Sequence, residues 1–201
     1  MGRKHGVRNS LISVLNLTQA KKEEKKTWGQ ALTHFTPEEN DRSTVSVAYI
    51  NLLINGNFEN KLNDWQLWQS AKTISNSVKF INITGNKFNN AVRIENPMKK
   101  LVGIQQRVNV KSNTVYRLSG IVRSTATNNN DIIFGGRIGF YLPPQKEKQI
   151  VWMSEHNKWW GKELIFSNQV TGLATVYIHM GYGNIASTGE FTNIHLEKIG
   201  D

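Results

Sequence analysis

Residues 51–68 read NLLINGNFENKLNDWQLW, and the fold follows from how this stretch is punctuated. Leu52, Leu53 and Ile54 form a short apolar run that stops at Asn55-Gly56-Asn57. Gly56 takes a positive φ at little cost, so the run is expected to enter a turn there. Phe58 returns to the core, Glu59 follows at once, and a turn-rich segment over residues 60–64 leads into a second apolar run with Trp65, Leu67 and Trp68.

From residue 73 onward short runs with period-two alternation succeed one another. Strands are expected over 74–83, 91–95, 102–110, 115–124, 132–142, 149–154, 162–167, 174–180 and 190–199. Turns are expected at Gly85-Asn86, Asn96-Pro97, Ser112-Asn113, residues 128–131, Pro143-Pro144, Asn168 and residues 181–183. No helical period of useful length follows residue 60, and each strand buries one face. The chemistry therefore asks for a second sheet, and an antiparallel β-sandwich over residues 46–201 is the predicted domain.

Upstream, residues 1–45 form a basic leader, expected to be partly helical or disordered. Leu11, Val14, Leu15 and Thr18 fall on one helical face and run into the charged block at 21–26. The apolar part is broken by Ser13 and Asn16 and is too short for a convincing signal peptide. Gly6 stands where a myristoylation motif wants Ser or Thr. A short helix is expected over residues 28–35 and a linker over 40–44. No run approaches the roughly 20 apolar residues that span a bilayer.

With 201 residues the chain holds one domain of ordinary size that can fold without staples. The absence of cysteine excludes disulfides, thiolate metal sites and a cysteine nucleophile. The net charge of +10 divides as eight Lys and Arg against five Asp and Glu in residues 1–45, and seventeen against ten in 46–201. A nucleic-acid protein concentrates such an excess on one helix or loop, so nucleic acid is not expected and an anionic polysaccharide or cell envelope is.

The order of short strand, NGxFE, turn residues and Trp resembles the opening of carbohydrate-binding modules of the family 4, 9 and 22 type. That resemblance covers the chain from about residue 46 and implies a galactose-binding-like jelly roll, with ligand residues on one sheet and in the loops at its rim. Alternation supplies candidates: Gln105, Arg107, Arg123, Arg137, Tyr141 and His179 lie opposite the apolar positions of their strands. Arg and Tyr are also ordinary outward β residues. The segment 152–160, WMSEHNKWW, is the densest aromatic and polar patch. Trp68, Trp152, Trp159 and Trp160 are candidate stacking platforms, with Glu155 on sugar hydroxyls, although Trp side chains in such folds also plug the core. The resemblance further implies a structural Ca²⁺ where NGxFE meets the last strand. Glu59 matches one ligand position, and Asn193 stands where the family has an acidic pair.

Signals for catalysis are weak. A glycosidase needs two carboxylates about 5 to 10 Å apart, and no spacing here marks a pair. His156, His179 and His195 lack zinc spacings, Gly135-Gly136 lies within a strand pattern without a following Lys, and no nucleophile elbow occurs. The expected function is non-catalytic polysaccharide binding, extracellular or at the cell envelope. The alternative is a structural β-sandwich of a cell-envelope or glycan-processing assembly, without sugar affinity of its own.

Overall fold

The computed structural model describes residues 34–35 and 49–201, except 74–75, 85–86, 98–99, 127–134, 154–157 and 182–185. The expected leader helix, the 40–44 linker, the turns at Gly85-Asn86 and 128–131, and Glu155 lie outside the described residues. Among the described residues there is no α-helix, only a 3-10 turn at Ser70–Lys72, and no helix long and apolar enough to cross a membrane.

Eleven strands form two antiparallel sheets. They are β1 (His34–Phe35), β2 (Gln66–Gln69), β3 (Val78–Asn82), β4 (Asn90–Asn96), β5 (Val102–Val110), β6 (Thr114–Ala126), β7 (Arg137–Tyr141), β8 (Lys148–Val151), β9 (Trp160–Asn168), β10 (Gly172–Met180) and β11 (Ser187–Gly200). One sheet runs β1-β9-β6-β11-β4-β3 and the other β2-β5-β10-β7-β8. Each of the nine strands expected by alternation overlaps an observed one, with 102–110 matched at both ends. Residues 74–75 and 132–134 lie outside the described residues, and Trp152 and Met153 are not strand. The short strand expected over 52–54 is bend and turn beyond a single bridge at Asn51. Two elements were not expected as strands. β2 is a four-residue edge around Trp68, and β1 pairs His34 with Lys162 and Phe35 with Gly161, so the helix expected over 28–35 gives way at its described end to strand pairing.

Between the sheets the inward sets interlock. Ile104, Leu118, Ile138, Ile150, Ile178, Ile194 and Leu196 are fully buried, together with Phe58 and Phe191. Each such side chain contributes roughly 1.5–3 kcal/mol relative to exposure. Gly136 lies under this core where a Cβ would come 2.8 Å from Phe191 and Val122, which accounts for the glycine pair as close strand packing.

The NGxFE loop ties both sheets. Phe58 is buried against Trp65 at 5.6 Å, and the Trp65 indole N–H donates to Asn55 O at 3.1 Å. The positive φ falls on Asn55 (55°) and Phe58 (59°) rather than on Gly56. Gly56 is required for another reason: a Cβ there would stand 2.0 Å from Ile194 O of β11. Asn51 donates Nδ2 to that carbonyl at 3.0 Å and accepts from Leu53 N and Leu196 N, each at 3.0 Å. On the other sheet Gln106, inward on β5, donates to Ile54 O (2.9 Å) and Asp64 O (3.1 Å) and accepts from Ile54 N (2.8 Å). A buried amide is thus fully employed in clamping the loop.

In β11 the pairing with β6 shifts register between Thr192 and His195, and Asn193 has φ 50°. This bulge keeps Phe191, Ile194 and Leu196 all pointing inward.

Candidate ligand-binding face

Directly opposed residues of an antiparallel pair share a face, so register fixes the outer surface of the five-stranded sheet. One row runs Trp68, Gly103, His179, Arg137, Val151, and the next runs Gln66, Gln105, Tyr177, Gly139, Gln149. A third holds Arg107, Thr175 and Tyr141. Six of the sequence candidates, Trp68, Gln105, Arg107, Arg137, Tyr141 and His179, are therefore brought together.

The two glycines shape this face. Because Gly139 has no side chain, the Tyr177 ring lies flat across it, where a Cβ would be 2.1 Å from Cζ. Trp68, opposite Gly103, stacks on Tyr177 with ring centroids 4.9 Å apart and planes 9° from parallel, and leans on His179 at 5.1 Å. Tyr177 donates its hydroxyl proton to Glu147 Oε1 and accepts from Gln149 Nε2 at 2.8 Å. Gln149 also donates to Glu147 Oε2 at 2.8 Å, and its Oε1 accepts from Arg137 Nη1 at 2.9 Å.

Burial divides the face into a foundation and an accessible layer. Tyr177 and His179 are 3% and 2% exposed, and Arg137 is 9% exposed. Burial, with the hydrogen bond to Glu147 adding to it, raises the Tyr177 phenol well above its usual range, so it remains a donor. Burial lowers His179 from 6.5 to about 4, opposed by its bond to Met180 O and assisted by Arg137, so its imidazole is neutral at pH 7. These groups orient neighbours. The accessible layer comprises half-buried Trp68 and Gln105, with exposed Arg107 and Tyr141, the latter 45% exposed. Trp68 and Tyr141 stand on strands three positions apart and four residues apart along the strand direction, about 14 Å across the sheet and about 13 Å along it.

Other candidates lie elsewhere. Trp152 is 1% exposed and donates its indole N–H to Trp160 O at 2.9 Å, so it plugs the core and is not a platform. Trp160 is half-buried and turned toward the same core. Arg123 is on the six-stranded sheet, where Glu190 accepts from it and from Arg93 on either side (Nε to oxygen 2.7 and 2.9 Å). Trp159 lies beneath the Arg123 guanidinium at 4.9 Å and is likewise on that side. Alternation identifies which residues face outward but not on which sheet, which is why Arg123 was grouped with the wrong set. Gln149, Glu147 and Tyr177 join this face without having been candidates in the sequence. The signal for them was Gly139, a glycine in an outward strand position that leaves room for a neighbouring ring.

At the loop–β11 junction the donors for calcium are already paired. Ile194 O accepts from Asn51, and Gly56 O accepts from Ile194 N at 2.9 Å. Glu59 is exposed, Asn193 faces the hollow beside His195, and among the described residues no three His, Asp or Glu side chains group as metal ligands.

No family model and no curated protein matches this chain significantly. Solved structures do. The module TmCBM61, solved in complex with β-1,4-galactotriose, is 17% identical with a TM-score of 0.56, covering 75% of this chain and 99% of that one. A family 16 carbohydrate-binding module is 19% identical with a TM-score of 0.54, covering 73% and 99%. The enzymatically active domain of tailspike protein 4 of bacteriophage CBA120 is 15% identical with a TM-score of 0.58. The match covers 75% of this chain and 22% of that one. By its two antiparallel sheets and these likenesses, the chain has the jelly-roll fold of carbohydrate-binding modules.

Proposed function

We propose that the chain is a non-catalytic glycan-binding module that holds a polysaccharide along the outer face of its five-stranded sheet. The observation that carries this reading is the stacked Trp68–Tyr177 pair on its glycine floor, with Gln105, Arg107 and Tyr141 beside it. Aromatic faces stack on the C–H faces of a pyranose, while amide and guanidinium groups meet its hydroxyls. The carboxylate in the network, Glu147, has both oxygens hydrogen-bonded, which suits a fixed acceptor better than one half of an acid–base pair. Support for an acidic ligand now rests on Arg107, since Arg137 is buried and Arg123 is compensated by Glu190 on the other sheet.

Tryptophan fluorescence titrated with galactan, xylan and a uronic-acid polysaccharide tests the reading. A saturable shift with at least one polymer is expected, weakened by roughly tenfold or more in Trp68→Ala as the stacking is lost. A folded protein that responds to none of them would favour the structural role in a larger assembly instead.

A further inference from the structure

The outer face of the six-stranded sheet carries a hollow of about 310 Å³. Its floor is β6, between β9 and β11. Register places Glu163, Ser119 and His195 in one row and Ile165, Arg117 and Glu197 in the next. Ser119, at the centre of this floor, has a small side chain that leaves the space between its larger neighbours open.

The walls narrow the chemistry. Arg117 donates Nε to Glu197 Oε2 at 2.8 Å and is covered by the Tyr49 ring at 5.2 Å. His195 Nδ1 lies 3.7 Å from Glu197 Oε1. Burial lowers the His195 pKa, Glu197 opposing and Arg117 assisting, so the ring is neutral near pH 7. Lys87 and Glu163 add one charge of each sign, which leaves the hollow with no net charge. Phe88 and Ile121 add an apolar wall. An anion would meet two carboxylates, a metal ion would meet two cations, and a wholly apolar ligand would strand the charged and amide groups, whereas a sugar ring offers C–H faces as well as hydroxyls. A hydroxyl both donates and accepts, so several on one rigid ring match mixed walls of carboxylate, guanidinium, amide and imidazole. The volume is at the low end for small-molecule sites, with room for a ring and not a chain.

We propose that this hollow is a second binding site, on the face opposite the first, that takes a single neutral sugar ring such as the end residue of a glycan. The choice of sugar among neutral polyhydroxy ligands rests on the glycan-binding reading of the first face.

The test uses ¹⁵N-labelled full chain titrated with galactose, glucose, mannose and N-acetylglucosamine, reading amide shifts residue by residue. Saturable shifts at Ser119, Ile121, Asn193 and His195 are expected with at least one sugar. They should persist in Trp68→Ala and weaken at least tenfold in Ser119→Phe, which fills the hollow. Glu163→Gln, nearly isosteric, should weaken them several-fold and guards against a folding defect in the larger substitution. If polymers bind the five-stranded face and no sugar moves the hollow amides, this proposal falls while the first reading stands. If the hollow responds and the other face never does, the first reading falls and this one stands. Hollow shifts with sulfate or acetate but with none of the sugars would also overturn it.

Discussion

Gly139→Ala is the sharpest perturbation of the proposed glycan-binding face, because it adds one methyl group beneath Tyr177. The new Cβ would stand 2.1 Å from Cζ and 2.2 Å from the hydroxyl oxygen, against about 3.5 Å for ordinary contact. The ring must rise by more than an ångström. Lifted, it loses its hydrogen bonds to Glu147 and Gln149, each contributing about 0.5–1.5 kcal/mol, and its stacking on Trp68, a similar amount. The sum is about 3 kcal/mol, which for a domain of this size lowers Tm by roughly 6–12 °C. Glycan binding should fall at least tenfold, since Trp68 is displaced with the ring beneath it. Differential scanning calorimetry and fluorescence titration read both effects. The double variant Gly139→Ala/Tyr177→Ala sharpens the comparison. Once the ring is gone the added methyl has nothing to strike, so the two losses should be strongly non-additive. A Gly139→Ala protein with unchanged Tm and affinity, or strict additivity in the double variant, would refute the account of this face.

Asn51→Ala removes three hydrogen bonds at the loop–β11 junction and should cost about 3 kcal/mol in urea denaturation, whereas EDTA should leave the Tm of the parent unchanged. His179 has a lower pKa folded (about 4) than unfolded (6.5), so the unfolded chain binds more protons between those values. Stability should therefore fall as pH drops from 6.5 to 4, by about 3 kcal/mol from this residue, and the slope should flatten in His179→Gln. Glu190→Gln leaves Arg93 and Arg123 facing each other without their shared carboxylate. A loss of about 2 kcal/mol is expected in chemical denaturation, moderated by the 41% exposure of the Arg93 side chain.

Much of the fold was legible because period-two alternation is a direct image of the pleat. Ile104, Val108 and Val110, or Val176, Ile178 and Met180, can all be buried in only one strand register. The role of residues 51–68 was legible in outline, with Phe58 and Trp65 in the core as expected. Its details were not. The clash that excludes a side chain at Gly56 depends on β11, nearly 140 residues away in sequence, and the positive φ falls on Asn55, whose side chain is bonded to Lys61 O and Asn63 O within the loop. The site was half legible for the same reason. Arg107 and Arg123 look alike locally, and only the sheet order separates one beside Gln105 from one beside Glu190. Trp152 had the composition of a platform, but its neighbours across the sandwich decide that it is core.

The bulge at Asn193 gives β11 two halves of opposite parity. Before it, even-numbered Glu190 and Thr192 face outward; after it, odd-numbered His195 and Glu197 do. The strand can therefore be read only in one frame. The bulge sets three steps of β11, Thr192 to His195, against two of β6. Deleting Asn193 would restore plain alternation and leave Ile194 and Leu196 inward, whereas inserting a residue there, or deleting His195, would put Leu196 and Glu197 on the wrong faces. A one-residue deletion in the exposed turn at Ser112-Asn113 carries no such penalty in side-chain direction along a whole strand. In a deletion scan of this protein, β11 should thus be intolerant on either side of Asn193 and least so at that asparagine, the point at which the frame changes.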